Sequence, residues 1–104
     1  MTTIPDAATF QSEVVKFPGA VLVDFYTDGC NPCRLMMPVL EELAKEQSTL
    51  KIVKVDAAAN FEVAATFRVQ AVPTFLLFQG GEVRAQFTGA RSKRDLISWI
   101  DSNR

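Results

Sequence analysis

Apolar and polar positions fall into a few distinct patterns along this chain. From Ala20 to Tyr26 the run Ala-Val-Leu-Val-Asp-Phe-Tyr is almost continuously apolar, which predicts a strand buried on both faces. From Leu35 to Glu46 the apolar residues Leu35, Met36, Val39, Leu40, Leu43 and Ala44 recur at helical spacing. The other face of that helix carries Glu41, Glu42, Lys45 and Glu46, with Glu41 and Lys45 spaced for an i,i+4 pair. Leu50 to Val55 predicts another strand. Strand, helix and strand of these lengths make a βαβ unit, so the two strands are expected to run parallel with a right-handed crossover.

Upstream of this unit, Asp6 is placed to cap a helix carrying Phe10, Val14 and Phe17, ended by Pro18-Gly19. Downstream, Asn60 to Arg68 predicts a short helix with Val63 and Phe67 inward, and Val72-Pro73 breaks the pattern. Thr74–Phe78 and Glu82–Thr88 read as strands joined by Gln79-Gly80-Gly81, a hairpin signal that makes them antiparallel. Ser92 with Asp95 forms a capping-box pattern ahead of Leu96, Ile97, Trp99 and Ile100 in a last helix. No repeat, linker or low-complexity tract interrupts the chain. These elements predict one α/β domain over residues 1–104, a mixed sheet with helices on both faces. Phe25, Phe75, Phe78 and Trp99 are assigned to its core, and Pro38 is expected to kink the second helix.

Composition narrows the classes of function. At 104 residues and 48% hydrophobic content, the chain can build a core without metals or structural disulfides. A net charge of −1 leaves no basic surplus for phosphates, so no nucleic-acid partner is expected. No apolar stretch approaches the ~20 residues of a membrane span. Met1-Thr2-Thr3-Ile4-Pro5-Asp6 has neither the basic start nor the apolar run of a signal peptide, so a cytoplasmic home is expected. In that reducing compartment a paired cysteine motif is catalytic or metal-binding rather than a staple.

Only two cysteines are present, as Cys30-Asn31-Pro32-Cys33, between the first long strand and the amphipathic helix. A helix N-terminus offers unpaired N–H groups and a positive dipole end, and both favour thiolate, the species that attacks disulfides. Cys30 precedes the helix and is the expected nucleophile; Cys33, one turn inside, resolves the mixed disulfide. Pro32 suits the first helical turn, where no N–H is needed. Half of a zinc site is the competing reading, but zinc wants four ligands and the chain has no His. Asp24 lies inside the apolar strand run, where ionisation is costly and the pKa should rise. It is either a proton acceptor for Cys33 or a strand residue whose side chain finds solvent. Asp28 is a solvated loop charge or a brake on Cys30 ionisation. Gly81 and Gly89 serve backbone geometry, and Gly89 is also a candidate for a docking groove. Taken alone, Lys54 is an ordinary strand-edge lysine and Pro73 a trans proline in a turn.

The string Val-Asp-Phe-Tyr-Thr-Asp-Gly-Cys-Asn-Pro-Cys-Arg over 23–34 resembles the active-site segment of the thioredoxin family. Pro38, Lys54-Val55-Asp56, Val72-Pro73-Thr74, Gly81 and Gly89 follow in the family's order, so the resemblance covers essentially the whole chain. It implies the thioredoxin fold, a five-stranded mixed sheet flanked by four helices. It implies a dithiol–disulfide oxidoreductase, a reductase of protein disulfides recharged by a thioredoxin reductase-type donor. It needs no cofactor beyond the Cys30–Cys33 disulfide itself, and a monomer is expected. It gives Asp24 the proton-accepting role, makes Lys54 its charged neighbour, and makes Pro73 cis and close to the cysteines, with Val72 backbone pairing to substrate. Gly29, Asn31, Pro32, Val72, Pro73 and Gly89 then make up the substrate-binding surface. The family's usual loop is Trp-Cys-Gly-Pro-Cys; here Gly29 replaces the Trp and Asn31 the Gly, so a different partner range is expected. Disulfide oxidases and isomerases are the alternative within redox chemistry, but such relatives commonly carry His between the cysteines. A non-catalytic binding module is the alternative from another class, and the intact cysteines and Asp24 speak against it.

Overall fold

Apolar runs that must be covered on both sides end up in the middle of a sheet. In the computed structural model, which describes residues 1–104, the run Ala20–Tyr26 is such a middle strand. In chain order the elements are β1 (Thr2–Ile4), α1 (Ala7–Phe10) running on as a π-helical turn over Gln11–Val15, and β2 (Ala20–Tyr26). Then come α2 (Asn31–Glu46), β3 (Leu50–Asp56), α3 (Phe61–Thr66), β4 (Thr74–Gln79), β5 (Glu82–Thr88) and α4 (Lys93–Asn103). The sheet order is β1-β3-β2-β4-β5. Strand β3 pairs in parallel with both β1 and β2, and β4 runs antiparallel to β2 and β5, so the sheet is mixed as expected.

Alternation along β2 divides the core in two. Val21, Val23 and Phe25 face α1, its π-helical extension and α3, packing with Phe10, Val14, Val63 and Phe78. Ala20 and Leu22 face α2 and α4, packing with Met36, Leu40, Phe75, Leu96 and Ile100. Trp99 is half-buried and meets Phe87 edge-on at 4.6 Å, and Phe87 stacks on Phe75 at 5.0 Å. Each large side chain buried in this way contributes about 1.5–3 kcal/mol. No helix is long and apolar enough to cross a membrane.

Several local expectations are corrected. Strand β1 carries no apolar pattern, since only Ile4 of its three residues is buried; its place comes from pairing with β3. Helix α2 begins at Asn31, before the periodic stretch, because Cys30 caps it and Pro32 fits its first turn. Its inward stripe is therefore Cys33, Met36, Leu40 and Leu43, and Leu35 turns outward at 69% exposure. The Glu41–Lys45 pair does not form. Instead Lys93 of α4 reaches Glu42 at 3.1 Å and Glu46 at 2.5 Å, tying the two helices on the same sheet face. The helix at Asn60 to Arg68 is shorter than expected, and Arg68 takes a left-handed φ of 56° beyond its end. Pro38 lies inside α2, which continues past it to Glu46.

The β4–β5 turn is held against the first helix. Gly81 has φ +84°, and a Cβ there would collide with the backbone carbonyl of Val15. Gly81→Ala therefore combines a strained backbone with a clash against main chain. It should lower unfolding free energy by about 2 kcal/mol or more, read as a lower urea midpoint.

Candidate active site

The loop between β2 and α2 brings two cysteines to a helix start. Cys30 is the N-cap of α2, with extended backbone, and its Sγ accepts the Cys33 backbone N–H at 3.2 Å. Cys30 and Cys33 form a disulfide with their Cα atoms 5.3 Å apart. The two sulfurs are not equivalent. Cys30 is half-buried, whereas Cys33 is 4% exposed and lies on the inward stripe of α2. Once the disulfide is reduced, the capping N–H and the helix dipole both favour a thiolate at Cys30. Asn31 and Pro32 are exposed beside it, and the Asn31 Oδ1 accepts from Arg34 Nη2 at 2.6 Å. Gly29 is exposed with φ +76° and nothing within 4 Å of where a Cβ would stand. A side chain at this position has room but would be strained at that φ, and this holds for the Trp usual in the family.

A second loop closes the other side of the site. The Val72–Pro73 bond is cis, in agreement with the family resemblance and not with the turn reading of the isolated residue. The Val72 carbonyl oxygen lies 3.9 Å from Cys30 Sγ. Gly89, at φ +105°, donates its N–H to the Pro73 carbonyl at 2.8 Å, so the end of β5 is fastened to this loop. Thr74 adds a brace that the sequence reading missed. Its buried hydroxyl donates to the Ala71 carbonyl at 2.6 Å, which leaves its oxygen to accept from the Thr88 hydroxyl at 2.8 Å. An isolated Thr at a strand start gives no warning of that role.

Asp24 shares its face of β2 with Ala20 and Leu22, the face covered by α2. It is fully buried, and neither carboxylate oxygen has a hydrogen-bond partner. The reading in which this side chain finds solvent is thereby overturned. Desolvation raises its pKa from the usual 3.8 to about 7, and the positive charge of Lys54 partly opposes the rise. Lys54 stands beside Asp24 in the β2–β3 register, and its Nζ lies 5.3 Å from the centroid of the Tyr26 ring. A cavity of about 250 Å³ opens next to Cys33, with Tyr26, Asp28, Arg34, Met37 and Lys54 in its walls. The Tyr26 phenol is pushed above its ordinary value by desolvation first, then by the charges of Asp56, Asp28 and Asp24. Tyr26 and Met37 were not singled out from sequence. Tyr26 ends the apolar strand run and Met37 lies off the inward stripe of α2, and their place in the cavity wall depends on how α2 lies over the strand end.

A disulfide at a helix start, with one sulfur half-buried and the other buried, is built for thiol–disulfide exchange. The class is thiol–disulfide oxidoreductase. The thioredoxin family model matches residues 2–102. Thioredoxin of Rickettsia bellii is 36% identical over 91% of this chain and 91% of that protein. The bifunctional thioredoxin reductase/thioredoxin of Mycobacterium leprae is 42% identical over 86% of this chain, a match covering 20% of that longer protein. The thioredoxin structure from Fasciola hepatica superimposes with a TM-score of 0.91 at 32% identity, covering 100% of both chains. The chain belongs to the thioredoxin family. Its chemistry is that of a protein disulfide oxidoreductase working through the cysteine pair.

The buried carboxyl makes stability depend on pH. Asp24 holds its proton more tightly when folded, titrating near 7 against 3.8 when unfolded. Its unfavourable contribution is absent below pH 3.8, grows as pH rises towards about 7, and is constant above that. At its largest the contribution is about 4 kcal/mol. Asp24→Asn should therefore stabilise the fold by about 2–4 kcal/mol at a pH of about 8 and by little at a pH of about 3.5. Urea unfolding at the two pH values reads the difference; an equal effect at both would mean the carboxyl is not desolvated.

Proposed function

We propose that the chain is a reductase of protein disulfides, acting as a monomer of one domain over residues 1–104 in the cytoplasm. The observation that carries this reading is the asymmetry of the cysteine pair: a half-buried N-cap sulfur in front, a buried sulfur behind. The Cys30 thiolate attacks a substrate disulfide, the substrate S–S bond breaks, and a mixed disulfide forms. Cys33 then attacks the Cys30 sulfur. The Cys30–Cys33 bond forms, the substrate leaves as a thiolate, and the Cys33 proton passes to the Asp24 carboxylate. A pKa of about 7 suits that transfer, because the base is then partly ionised at neutral pH and still basic enough to accept. Lys54 moderates the charge on Asp24.

Gly29, Asn31 and Pro32 on one side, and Val72, Pro73 and Gly89 on the other, form the surface on which the substrate polypeptide lies. The backbone carbonyl of Val72, 3.9 Å from Cys30 Sγ, places an acceptor where a substrate strand would run past the reacting sulfur. A thioredoxin reductase-type donor returns two electrons to the Cys30–Cys33 disulfide. The match to one part of a fused reductase and thioredoxin supports such a donor. Gly29 gives that donor no aromatic surface, so a partner range differing from that of Trp-bearing relatives follows.

The division of labour is tested by trapping. Cys30→Ser should abolish disulfide reduction. Cys33→Ser should accumulate a stable mixed disulfide on Cys30, visible by mass spectrometry of the intact adduct. Asp24→Asn should slow resolution about tenfold or more in single-turnover experiments and flatten its pH dependence around neutrality. Stable adducts forming on Cys33 in preference to Cys30 would reverse the assignment.

A further inference from the structure

Phe61 is exposed in a way that the core does not explain. It is the first residue of α3 and 68% exposed, while Val63 and Ala64 carry that helix's burial. Phe61 instead lines a groove of about 440 Å³ whose other lining residues include Ala57, Ala58, Val69, Ala71 and Val72. No charged side chain lines this groove. The groove is continuous with the reacting site, because Val72 belongs to both and its carbonyl lies 3.9 Å from Cys30 Sγ. The wall is also fastened to the end of β2: the Ala57 N–H donates to the Tyr26 carbonyl at 2.8 Å.

The segment carrying Phe61 is held in place before anything binds. Asp56 Oδ1 accepts the N–H groups of Ala58 and Ala59 at 3.0 and 3.1 Å. The Asp56 carbonyl accepts from the Asn60 backbone N–H at 2.9 Å and from its Nδ2 at 3.1 Å. A groove braced in this way does not have to be ordered when it is filled, which lowers the entropic cost of binding. An aromatic ring exposed over small alanine side chains is suited to gripping an apolar group.

We propose that Phe61 is a specificity-determining residue that selects disulfide substrates with a large apolar side chain close to the reacting cysteine. The occupant is a side chain of the substrate polypeptide, Leu or Phe in kind, seated between Phe61 and the alanine floor while the cysteine meets Cys30. A charged residue at that point of the substrate would be desolvated without a partner and is disfavoured. The inference rests on the disulfide-reductase reading, and it assigns to α3 the aromatic grip that the loop at Gly29 lacks.

The test uses the full chain and a set of disulfide-linked peptides differing only in Leu or Asp at each position flanking the reacting cysteine. Hydroxyethyl disulfide, too small to reach the groove, serves as reference. At one flanking position the wild type should favour Leu over Asp. Phe61→Ala should lower kcat/KM for that Leu peptide about tenfold, mainly through KM, and change the Asp peptide and hydroxyethyl disulfide by less than about twofold. Phe61→Trp should restore the preference. Equal losses on both peptides, or none on either, would overturn the role of Phe61 while leaving the reductase reading intact. A wild-type chain unable to reduce even hydroxyethyl disulfide would overturn that reading and this inference with it.

Discussion

Strand β2 is paired along both edges and covered on both faces, so six of its seven residues are out of contact with water. The site depends on that burial. A strand with so little freedom fixes where its last residue points, and the loop from Thr27 to Gly29 is then too short to place the helix start anywhere but over the strand end. The same burial removes solvent from Asp24, the one polar side chain in the run. The carboxyl raised to about 7 and the position of the cysteine pair are two consequences of one central strand.

The second consequence of this arrangement is chemical asymmetry between two otherwise identical residues. Three positions along a helix make nearly a full turn, so Cys30 at the cap and Cys33 inside it share one end of α2 but differ in depth. The cap position gives Cys30 a backbone N–H and the dipole, and with them the lower cost of ionisation. Cys33 sits on the inward stripe, where ionisation is costly and a nearby proton acceptor matters most. A carboxyl raised to about 7 by desolvation is a stronger base than an ordinary one, and in the proposed mechanism that basicity serves Cys33.

The loop around Pro73 is kept near the sulfurs by bonds from distant parts of the chain. Gly89 reaches the Pro73 carbonyl, and Thr88 reaches Thr74 across the β4–β5 register. On the far side, the Asp56 turn ties the α3 segment to the end of β3, while Ala57 bonds to the end of β2. The chain segments around the cysteine pair are thus anchored by hydrogen bonds, main chain to main chain at Gly89 and Ala57 and through side chains at Asp56, Thr74 and Thr88. That suits a protein whose partners are other polypeptides, because a fixed rim loses little freedom when a chain is laid across it.

The sequence by itself determined the α/β class, the parallel β2–β3 pair, the hairpin, and the cysteine pair at a helix start. Each follows from local pattern: a period of two or 3.6, a Gly-Gly turn, a Pro in the first helical turn. The resemblance added the cis bond at Pro73 and the fifth strand. Tertiary structure alone decided the rest. β1 is a strand only because β3 offers it an edge, and Leu35 faces outward because the cap at Cys30 sets the helix phase. Lys93, 47 residues from Glu46, pairs with Glu46 and Glu42, whereas the Glu41–Lys45 pair that spacing along α2 predicted does not form. Whether Asp24 was a solvated or a buried acid could not be read from its neighbours in sequence, because desolvation depends on what α2 lays over it. Local pattern specifies the direction a side chain takes from its own backbone, and only the packing of other elements specifies what it meets there.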